Sequence, residues 1–458
     1  MRRLLFLLAA VLIAALVLQA GLLAFAMYVL IGVLLLSRYL AKKWVGALVA
    51  VRECAATDPV EVGATVEMKV RLANSGNSRV TWILVEDLFP EHYLRQKPPR
   101  VRIKGRRVKL CSVPGGRSTV LKYEIECDTR GYYQIGPTLL ETGDLFGLHR
   151  RHRIVAKPFF LMVLPKVIPL PKYDFASQRP IGEVNAAQRL FEDPTRNAGV
   201  RPYQVGDPLQ RVHWRATART GELQCRVFDP TTLAGATILV DFHKDGYPSR
   251  GEPFRSDLAV TTACSIAYSV TMLNQQIGMA SNGRDAADVY RYQVSIQRGS
   301  DDEVVGYDTR DEARREGEAG ESSDRLRPVM VETRRGIEQF QRVREALARL
   351  EFTDAMTFAG LVLEVTPRLP RDATVIAILP AVSIETSTIL GNLRRQGFAV
   401  SAILIGLADE ELLIAHGRLL AESVRDVRHV NSEEELGMLG DQAPVTGVNP
   451  YKIAVTLA

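Results

Sequence analysis

Cysteine is scarce in this chain of 458 residues. The five cysteines, Cys54, Cys111, Cys127, Cys225 and Cys264, are scattered and form neither a CxxC pair nor a cluster with histidine. Structural zinc sites and disulfide frameworks depend on such spacings. We therefore expect neither of them, and a reducing compartment fits this cysteine usage best.

A strong excess of charge of one sign is also missing. The 58 basic residues are opposed by 52 acidic ones, which leaves a net charge of +6. Such a mild excess suits a protein beside an anionic membrane as well as it suits a nucleic-acid binder. The composition, 47% apolar and 24% charged, excludes wholesale disorder, and the length allows two or three domains.

Formal charge is absent from the whole stretch between Leu4 and Leu36, which is 33 residues long. A single helix of that length would measure about 50 Å, whereas the hydrocarbon core of a bilayer is about 30 Å thick. A break near residues 19–21 would instead give two short, tightly spaced helices. The sequence thus predicts a transmembrane helical hairpin over residues 1–44.

Basic residues flank this apolar run at both outer ends, with Arg2 and Arg3 before it and Arg38, Lys42 and Lys43 after it. By the positive-inside rule, both ends prefer the cytoplasm. The alternative is a signal peptide or a single span that exports the body of the protein, but the apolar run continues past its Ala-x-Ala-like triplets. The hairpin interpretation predicts a multi-pass protein of the cell membrane whose soluble domains face the cytoplasm.

Residues 45–165 consist of short runs of alternating apolar and polar residues, separated by turn clusters. The clearest runs are ATVEMKVRLAN (64–74), TWILVEDLF (81–89), STVLKYEIEC (118–127) and FFLMVLP (159–165). Strands at this spacing, with no helical period between them, predict an antiparallel β-sandwich-like module. Such a module usually binds or spaces rather than catalyses.

Residues 166–232 have a different character, because prolines interrupt a mostly polar segment. Prolines are too frequent here for a long helix, and alternating apolar positions are too few for a sheet. We expect a connector that wraps on a neighbouring domain.

An alternation of strands and helices is predicted for residues 233–458. The apolar runs are ATILVDF (236–242), QQIGMA (275–280), ATVIAILP (373–380) and FAVSAILIG (398–406), and the segments with helical spacing are 253–273, 336–350, 384–396 and 409–422. This order predicts an α/β domain with a mostly parallel, Rossmann-like sheet covered on both faces. The charged stretch 301–327 is expected to be a mobile surface insert.

Several short motifs carry a resemblance to a known family. They are Arg130-Gly131-Tyr132-Tyr133-Gln134-Ile135-Gly136-Pro137, Asp144-Leu145-Phe146-Gly147-Leu148, Tyr203, Gly206-Asp207, Arg211-x-His213-Trp214 and Ala218-Arg219. Together they resemble the bacterial family called domain of unknown function fifty-eight. The resemblance covers nearly the whole chain and implies a membrane hairpin, a β module, a signature segment and a C-terminal von Willebrand factor A-like domain.

The resemblance also implies partners. Members of this family are often encoded beside MoxR-type AAA+ ATPases and transglutaminase-like membrane proteins. It follows that the chain is expected to be a non-enzymatic, membrane-anchored partner in a chaperone or assembly system, with no cofactor and no nucleic-acid partner.

A von Willebrand factor A-like fold normally carries a metal site opened by Asp-x-Ser-x-Ser, in which a carboxylate and two hydroxyls hold a hard divalent ion. The matching segment here is Asp241-Phe242-His243-Lys244-Asp245, which keeps the aspartate and loses both hydroxyls. The later strand ends in Ile378-Leu379-Pro380 without the aspartate of the pattern. Asp241 is therefore a degenerate candidate for Mg²⁺, and we expect no working metal site.

Three interpretations compete for the arginine-rich stretch 201–229. In a nucleic-acid interface its arginines would contact phosphates while Trp214 stacks on a base; these arginines are Arg201, Arg211, Arg215, Arg219 and Arg226. Acidic residues interrupt them, and no recognised binding fold surrounds them. In an enzyme His213 would be a general base oriented by Asp207, but no nucleophile motif or glycine-rich phosphate loop accompanies them.

The structural interpretation of this stretch is favoured. Gly206-Asp207 forms turns readily, and Asp207 could cap a following helical turn and share a face with Arg211 and Arg215. Trp214 would then bury its ring against a domain wall. In the β module, Arg130-Gly131 and Gly147 are expected to supply turn geometry and Asp144 a local cap.

Three functions follow, in decreasing order of support. The first is a membrane-tethered scaffold that binds protein partners, the second is a divalent-metal-dependent recognition module, and the third is a hydrolase.

Overall fold

The computed structural model describes residues 2–440 with gaps. Outside the described part lie residues 1, 56–58, 91–92, 95–97, 145–149, 172–191, 205–211, 231–234, 249–250, 289–305, 308, 318–326, 371–372 and 441–458. The chain divides into two compact units, each assembled from three stretches of sequence. Unit 1 contains Met1–Lys166, Arg284–Leu326 and Arg344–Glu351, and unit 2 contains Val167–Gly283, Arg327–Val343 and Phe352–Ala458.

Two helices form the N-terminal apolar region, α1 (Arg2–Val17) and α2 (Gly21–Gly46). The break falls at the predicted place, where Gln19 has a φ of 52°. The second helix is longer than the short arm that the sequence suggested. It has 26 residues, and its most apolar 18-residue window has a mean hydropathy of 2.0, so by length and composition α2 could cross a membrane.

The β module of unit 1 contains three sheets with mostly antiparallel pairing. A four-stranded sheet has the order β1 (Leu48–Cys54), β3 (Thr65–Asn74), β7 (Ser118–Cys127), β5 (Val101–Gly105). A five-stranded sheet has the order β17 (Gly306–Tyr307), β10 (Arg150–Ala156), β9 (Thr138–Gly143), β4 (Val80–Asp87), β6 (Val108–Val113). A three-stranded sheet has the order β2 (Val60–Glu61), β11 (Phe159–Leu164), β8 (Gly131–Ile135). The predicted antiparallel module is confirmed, apart from the parallel pair β2 and β11.

The three sheets share one apolar core. In β3, Val66, Met68, Val70 and Leu72 alternate with more exposed residues and are at most 3% exposed. They pack with side chains from β4, β8 and β9, among them Ile83. Because complete burial of such a side chain stabilises a fold by about 1.5 to 3 kcal/mol, this alternation accounts for the pairing of the sheets.

The C-terminal half of α2 also belongs to this module. Its buried residues Leu34, Ser37, Ala41 and Trp44 recur at three- and four-residue spacing, which places them on one side of the helix. Arg153 of β10 donates hydrogen bonds to the carbonyl oxygen of Val45, near the end of α2, at 3.2 Å, and to that of Leu48 in β1 at 3.4 Å. The apolar helix is therefore seated on the β module through its own side chains.

Part of the predicted mobile insert is folded in unit 1, so that prediction is wrong for residues 306, 307 and 309–317. Strand β17 pairs with β10, and helix α5 (Arg310–Gly317) follows. Arg310 and Arg314 both form ion pairs with Glu86 of β4, whose side chain is 7% exposed. Burial would raise the pKa of Glu86, but hydrogen bonds from the two guanidinium groups outweigh it and hold the pKa below its usual range.

Glu86→Gln is expected to loosen this segment. Charge-assisted hydrogen bonds contribute about 1.5 to 3 kcal/mol each, so hydrogen exchange of residues 309–317 should accelerate by one to two orders of magnitude. In the parent chain the stabilisation is present above the pKa of a free glutamate and is lost as the pH falls through the lowered folded-state value. Glu312→Gln on the exposed side of α5 is the matched control, and equal acceleration in both variants would contradict the assignment.

Unit 2 begins with a two-stranded sheet, and the expectation that residues 166–232 contain no sheet is wrong. Strand β12 (Glu192–Pro202) pairs with β13 (Gln224–Pro230), with helix α3 (Trp214–Thr220) between them in sequence. The registers shift twice along β12, which is how a chain with few alternating apolar positions still pairs.

The main sheet of unit 2 has six strands, as the α/β pattern predicted, with one antiparallel edge. The order is β18 (Val329–Arg334), β15 (Gln276–Ser281), β14 (Gly235–Val240), β20 (Ala373–Leu379), β21 (Val400–Ile405), β22 (Asp426–Val430). All pairs are parallel except β15 with β18. Strand β14 is buried at every residue, which explains its continuous apolar run.

Helices of unit 2 connect and cover these strands. They are α4 (Phe254–Met272), α6 (Ile337–Ala348), α7 (Phe358–Val365), α8 (Ile384–Arg395), α9 (Asp409–Ala421) and α10 (Glu433–Gly437), with α6 continuing into the part of the chain assigned to unit 1. Two strand-like segments, β16 (Arg284–Asp285) and β19 (Leu350–Glu351), pair in unit 1. The four helical segments predicted from spacing are all confirmed within a few residues.

Candidate functional site

Gly131 and Tyr133 of the first signature motif pack on each other in β8. A Cβ atom on Gly131 would lie 2.6 Å from Cζ of the Tyr133 ring, so only glycine fits there. The Tyr133 hydroxyl donates to the Arg130 carbonyl oxygen at 2.9 Å, and the ring is 1% exposed. Gly131 therefore provides room for an aromatic ring, and the expected turn role is wrong.

The neighbouring residues of this motif contact other elements of unit 1. Arg130 is 8% exposed, and its Nη1 donates to the carbonyl oxygens of Leu347 at 3.0 Å and Leu350 at 2.9 Å, where α6 ends. A cation at the C-terminal end of a helix satisfies carbonyls that have no partner within the helix. Tyr132 stacks on Phe160 of β11 with the ring centroids 5.4 Å apart.

Gly136 lies against the guanidinium group of Arg52. The glycine has a φ of +85°, and a Cβ atom there would lie 2.1 Å from Arg52 Nη2. It precedes Pro137 in a cis peptide bond, and its N–H donates to the Leu88 carbonyl oxygen at 2.8 Å. The motif thus places a residue without a side chain beside a charged group.

Arg52 is part of a buried network that the motifs did not reveal. Its guanidinium forms an ion pair with Asp87, which is 0% exposed. Asp87 also accepts hydrogen bonds from the Tyr123 hydroxyl at 2.6 Å and from Thr138 Oγ1 at 2.9 Å. Burial, followed by the nearby Asp87 carboxylate, raises the pKa of Tyr123 well above its usual range. Each hydrogen bond that the Asp87 carboxylate accepts offsets part of the free-energy cost of removing this carboxylate from water.

Asp144 contacts the apolar helix, a role that the sequence did not suggest; the turn that it was expected to cap, residues 145–149, lies outside the described residues, so the local cap stays a prediction. Its buried carboxylate accepts a hydrogen bond from Ser37 Oγ of α2. Its backbone carbonyl oxygen accepts one from Trp82 Nε1 at 3.0 Å. Gly147 lies outside the described residues.

The second signature segment is only partly described. Gly206, Asp207 and Arg211 lie outside the described residues, so the proposed contacts of Asp207 stay predictions. The helix that follows begins at Trp214, and its N-cap is His213, whose Nδ1 accepts from the Ala216 N–H at 3.0 Å. This bond gives the histidine a structural role.

Trp214 is exposed, and the prediction that it buries its ring against a domain wall is wrong. The side chain is 69% exposed, and Arg219 on the same helix also faces solvent. Tyr203 is half-buried, and its N–H donates to the Leu223 carbonyl oxygen at 2.8 Å within the two-stranded sheet. The described part of the signature therefore combines internal contacts with a solvent-facing helix.

Asp241 follows β14, at the edge of the parallel sheet where ligands of open α/β folds usually bind. Its Oδ1 accepts hydrogen bonds from Asn282 Nδ2 at 2.9 Å and from the His243 N–H at 3.1 Å. Asn282 Nδ2 also donates to the Met356 carbonyl oxygen at 3.0 Å. Burial raises the pKa of Asp241, and the hydrogen bonds from Asn282 and from the His243 N–H offset only part of that rise.

A guanidinium group lies at the same edge of the sheet. Arg255, in the first turn of α4, donates from Nε to the Ile405 carbonyl oxygen at 3.0 Å and from Nη2 to that of Pro380. Among the residues that the structure describes, no group of three or more His, Cys, Asp and Glu side chains is placed to hold a metal ion. A cation would have to compete with Arg255 and Lys244 for this edge.

The comparisons with known proteins support the resemblance for part of the chain. Residues 199–293 match the family model described as "Protein of unknown function DUF58". This DUF58 match supports the family resemblance. It covers the exposed helix α3, the two strands β14 and β15, and Asp241.

One curated relative is the "Uncharacterized protein YeaD" of Bacillus subtilis (strain 168). It is 23% identical over 227 residues, which are 49% of this chain and 52% of the relative. The chain thus spans about half the length of the curated relative it matches.

Solved structures are only distantly similar. The CARDB domain of the PF1109 protein from Pyrococcus furiosus is 18% identical, with a TM-score of 0.18, over 26% of this chain and 87% of that one. Proximal thread matrix protein 1 from the mussel byssus is 12% identical, with a TM-score of 0.28, over 45% of this chain and 46% of that one. Neither likeness supports a conclusion about fold or function.

Proposed function

We propose that this protein is a membrane-anchored, non-catalytic adaptor that binds other proteins through its two soluble units. The observation that supports this proposal is that the signature residues fall into two groups, one in contact with the rest of the chain and one exposed to solvent. Arg130, Gly136 and Asp144 are engaged in contacts within the chain, whereas Trp214 and Arg219 face solvent. Such a division suits a scaffold that is held rigid inside and presents a surface outside.

The membrane part of the proposal is a hairpin whose two ends face the cytoplasm. Helix α1 and the portion of α2 before Ser37 have 16 residues each, or about 24 Å of helix. Beyond that point α2 is seated on the β module, so the module lies close to the membrane surface. The basic residues at both outer ends favour the cytoplasmic orientation.

For unit 2 we propose a von Willebrand factor A-like fold used without a metal ion. Its mostly parallel sheet and the position of Asp241 after β14 are consistent with that fold. Asp241 is held by Asn282 and the backbone, and Arg255 supplies positive charge to the same edge. A partner would therefore dock there through direct contacts.

The partner that the family resemblance suggests is a MoxR-type AAA+ ATPase, with a transglutaminase-like membrane protein as a second. The test is isolation of the tagged full-length chain from native membranes in mild detergent, followed by mass spectrometry. We expect an AAA+ ATPase to be enriched at least tenfold over an unrelated membrane protein with the same tag. Enrichment of no protein partner would contradict the adaptor function.

Calorimetry distinguishes the metal-dependent alternative. Titration of the full-length chain in detergent with Mg²⁺ is expected to give no saturable heat, and Asp241→Asn should leave the trace unchanged. A saturable, stoichiometric signal that Asp241→Asn abolishes would favour the divalent-metal-dependent module instead.

A further inference from the structure

Helix α3 presents an unusual side chain to solvent. None of its residues is buried, and Trp214 at its first position is 69% exposed. The two other tryptophans of the chain, Trp44 and Trp82, are buried and half-buried. A large aromatic side chain that is exposed to solvent on a short helix does not stabilise the fold by burial, so we look for its role in binding.

Four of the five exposed residues of α3 form one continuous face, and Thr220 is the exception. With 3.6 residues per turn, Trp214, Ala218, Arg215 and Arg219 follow one another around an arc of about 140°. Ala216 and Thr217 are half-buried and lie outside this arc. The face therefore has an apolar strip, made by the tryptophan beside a small alanine, and a basic strip made by two arginines.

The basic strip has no acidic counterpart within the part of the chain that the structure describes. Among the residues that the structure describes, no ion pair or hydrogen bond involves the guanidinium group of Arg215 or of Arg219, and both side chains are exposed. The two residues are four positions apart, so their like charges oppose each other on the helix. The repulsion between the two guanidinium groups slightly destabilises the helix in the free chain, and the binding of carboxylates to them removes this repulsion.

The helix is nonetheless fixed in place at both ends. His213 caps its start, and Gly221, with a φ of 76°, ends it in the left-handed conformation. Thr217 Oγ1 accepts a hydrogen bond from the Gln224 N–H at 3.0 Å, which ties the helix to β13. A face that is already ordered loses little conformational entropy when a partner binds.

We infer that this face of α3 binds an acidic segment of a partner protein. Carboxylates of the segment pair with Arg215 and Arg219, and an apolar side chain packs on Trp214. Tryptophan and arginine are the residues most enriched among those that dominate binding energy at protein interfaces. The inference rests on the proposed adaptor function and names the chemistry of the surface that carries it.

Exposed apolar side chains on the same hairpin favour a protein partner over a polyanion. Residues 201–229 contain five arginines and no lysine. Arginine binds carboxylates and phosphates in the same planar, bidentate geometry, so the arginines themselves do not distinguish the two partners. Besides Trp214, the hairpin exposes Val200 and Leu223, by 47% and 43%, and such apolar surface is matched by the side chains of a protein segment.

The test is photo-crosslinking of the full-length chain in its native membranes, with p-benzoylphenylalanine in place of Trp214. The cross-linked segment is identified by mass spectrometry. We expect a protein segment with two or more acidic residues near the attachment point. Arg215→Glu/Arg219→Glu should reduce the yield about tenfold or more, whereas Arg335→Glu/Arg342→Glu, which changes the charge equally at exposed residues of the same unit, should not.

Several results would overturn the inference. They are an adduct with lipid or nucleic acid, an adduct with a protein segment that lacks acidic residues, no adduct at all, or the same loss of yield in both charge variants. The melting temperatures of both charge variants should equal that of the parent chain, because none of these four arginines forms an ion pair or a side-chain hydrogen bond with another described residue. If an ATPase co-isolates with the chain while residue 214 gives no such adduct, this inference fails and the adaptor function stands.

Discussion

Replacing Asp87 with alanine is expected to destabilise the β module by about 3 to 5 kcal/mol. The substitution leaves the buried guanidinium of Arg52 without its carboxylate, and it removes the acceptor for the Tyr123 and Thr138 hydroxyls. Urea denaturation of the full-length chain in detergent, followed by tryptophan fluorescence to which Trp44 and Trp82 of this unit contribute, measures the loss. A typical domain is stable by about 5 to 15 kcal/mol, so this loss is a large fraction of the total.

The matched control removes both charges of the pair, while the Tyr123 and Thr138 hydroxyls lose their acceptor in both variants. In Arg52→Leu/Asp87→Leu both members of the pair become apolar, so no buried charge remains uncompensated. We expect this double variant to be considerably more stable than Asp87→Ala. If the two variants unfold at the same urea concentration, the ion pair is not what holds this part of the core together.

Gly136→Ala is the second substitution with a large expected effect. The new methyl group would lie 2.1 Å from Arg52 Nη2, so the guanidinium has to move away from Asp87. The cost should approach that of losing the pair, about 3 to 5 kcal/mol. The same urea measurement applies.

Gly63 offers a control with a nearly equal φ and open space. Its φ is +90°, and an added Cβ atom would meet nothing within 4 Å. Gly63→Ala should therefore cost only the strain of a left-handed residue, about 1 to 2 kcal/mol. Equal destabilisation by the two substitutions would show that backbone strain, and not the contact with Arg52, explains the glycine at position 136.

Periodicity predicted the regular parts of the fold well. A continuous apolar run such as ATILVDF reflects a strand buried on both faces. Helical spacing such as that of residues 253–273 reflects a helix buried on one side. Because burial determines both patterns, both elements were predictable from the sequence. The break in the apolar hairpin was predictable from a Gln-Ala-Gly interruption. The antiparallel β module followed from alternation and turn clusters in the same way.

Long-range pairing was not predictable from local pattern. Residues 309–317 are as polar as a solvated insert, and distant residues explain why they fold as α5: Glu86 pairs with two of its arginines, and Ala313 packs with Leu88 and Leu139. The recruitment of residues 284–326 and 344–351 into unit 1 has no local signal for the same reason. In β12 the pairing depends on register shifts that alternation does not reveal.

The roles of the signature residues were also predictable only in part. Glycines in a motif indicate a turn or a close approach, and sequence alone does not say which; Gly131 faces a ring and Gly136 a guanidinium. The partners of these motifs, Arg52, Asp87 and Ser37, lie in ordinary strands and a helix without any distinguishing pattern. For Trp214, the sequence prediction relied on the usual burial of tryptophan, and the structure contradicts it.

The central claim is that the Trp214 face is a binding surface kept free for a partner. Hydroxyl-radical footprinting of Trp214 in native membranes and in the purified chain tests it most directly. Strong oxidation of the purified chain, protection in membranes, and loss of that protection in Arg215→Glu/Arg219→Glu are the predicted results. Equal oxidation of Trp214 in both states would contradict the claim.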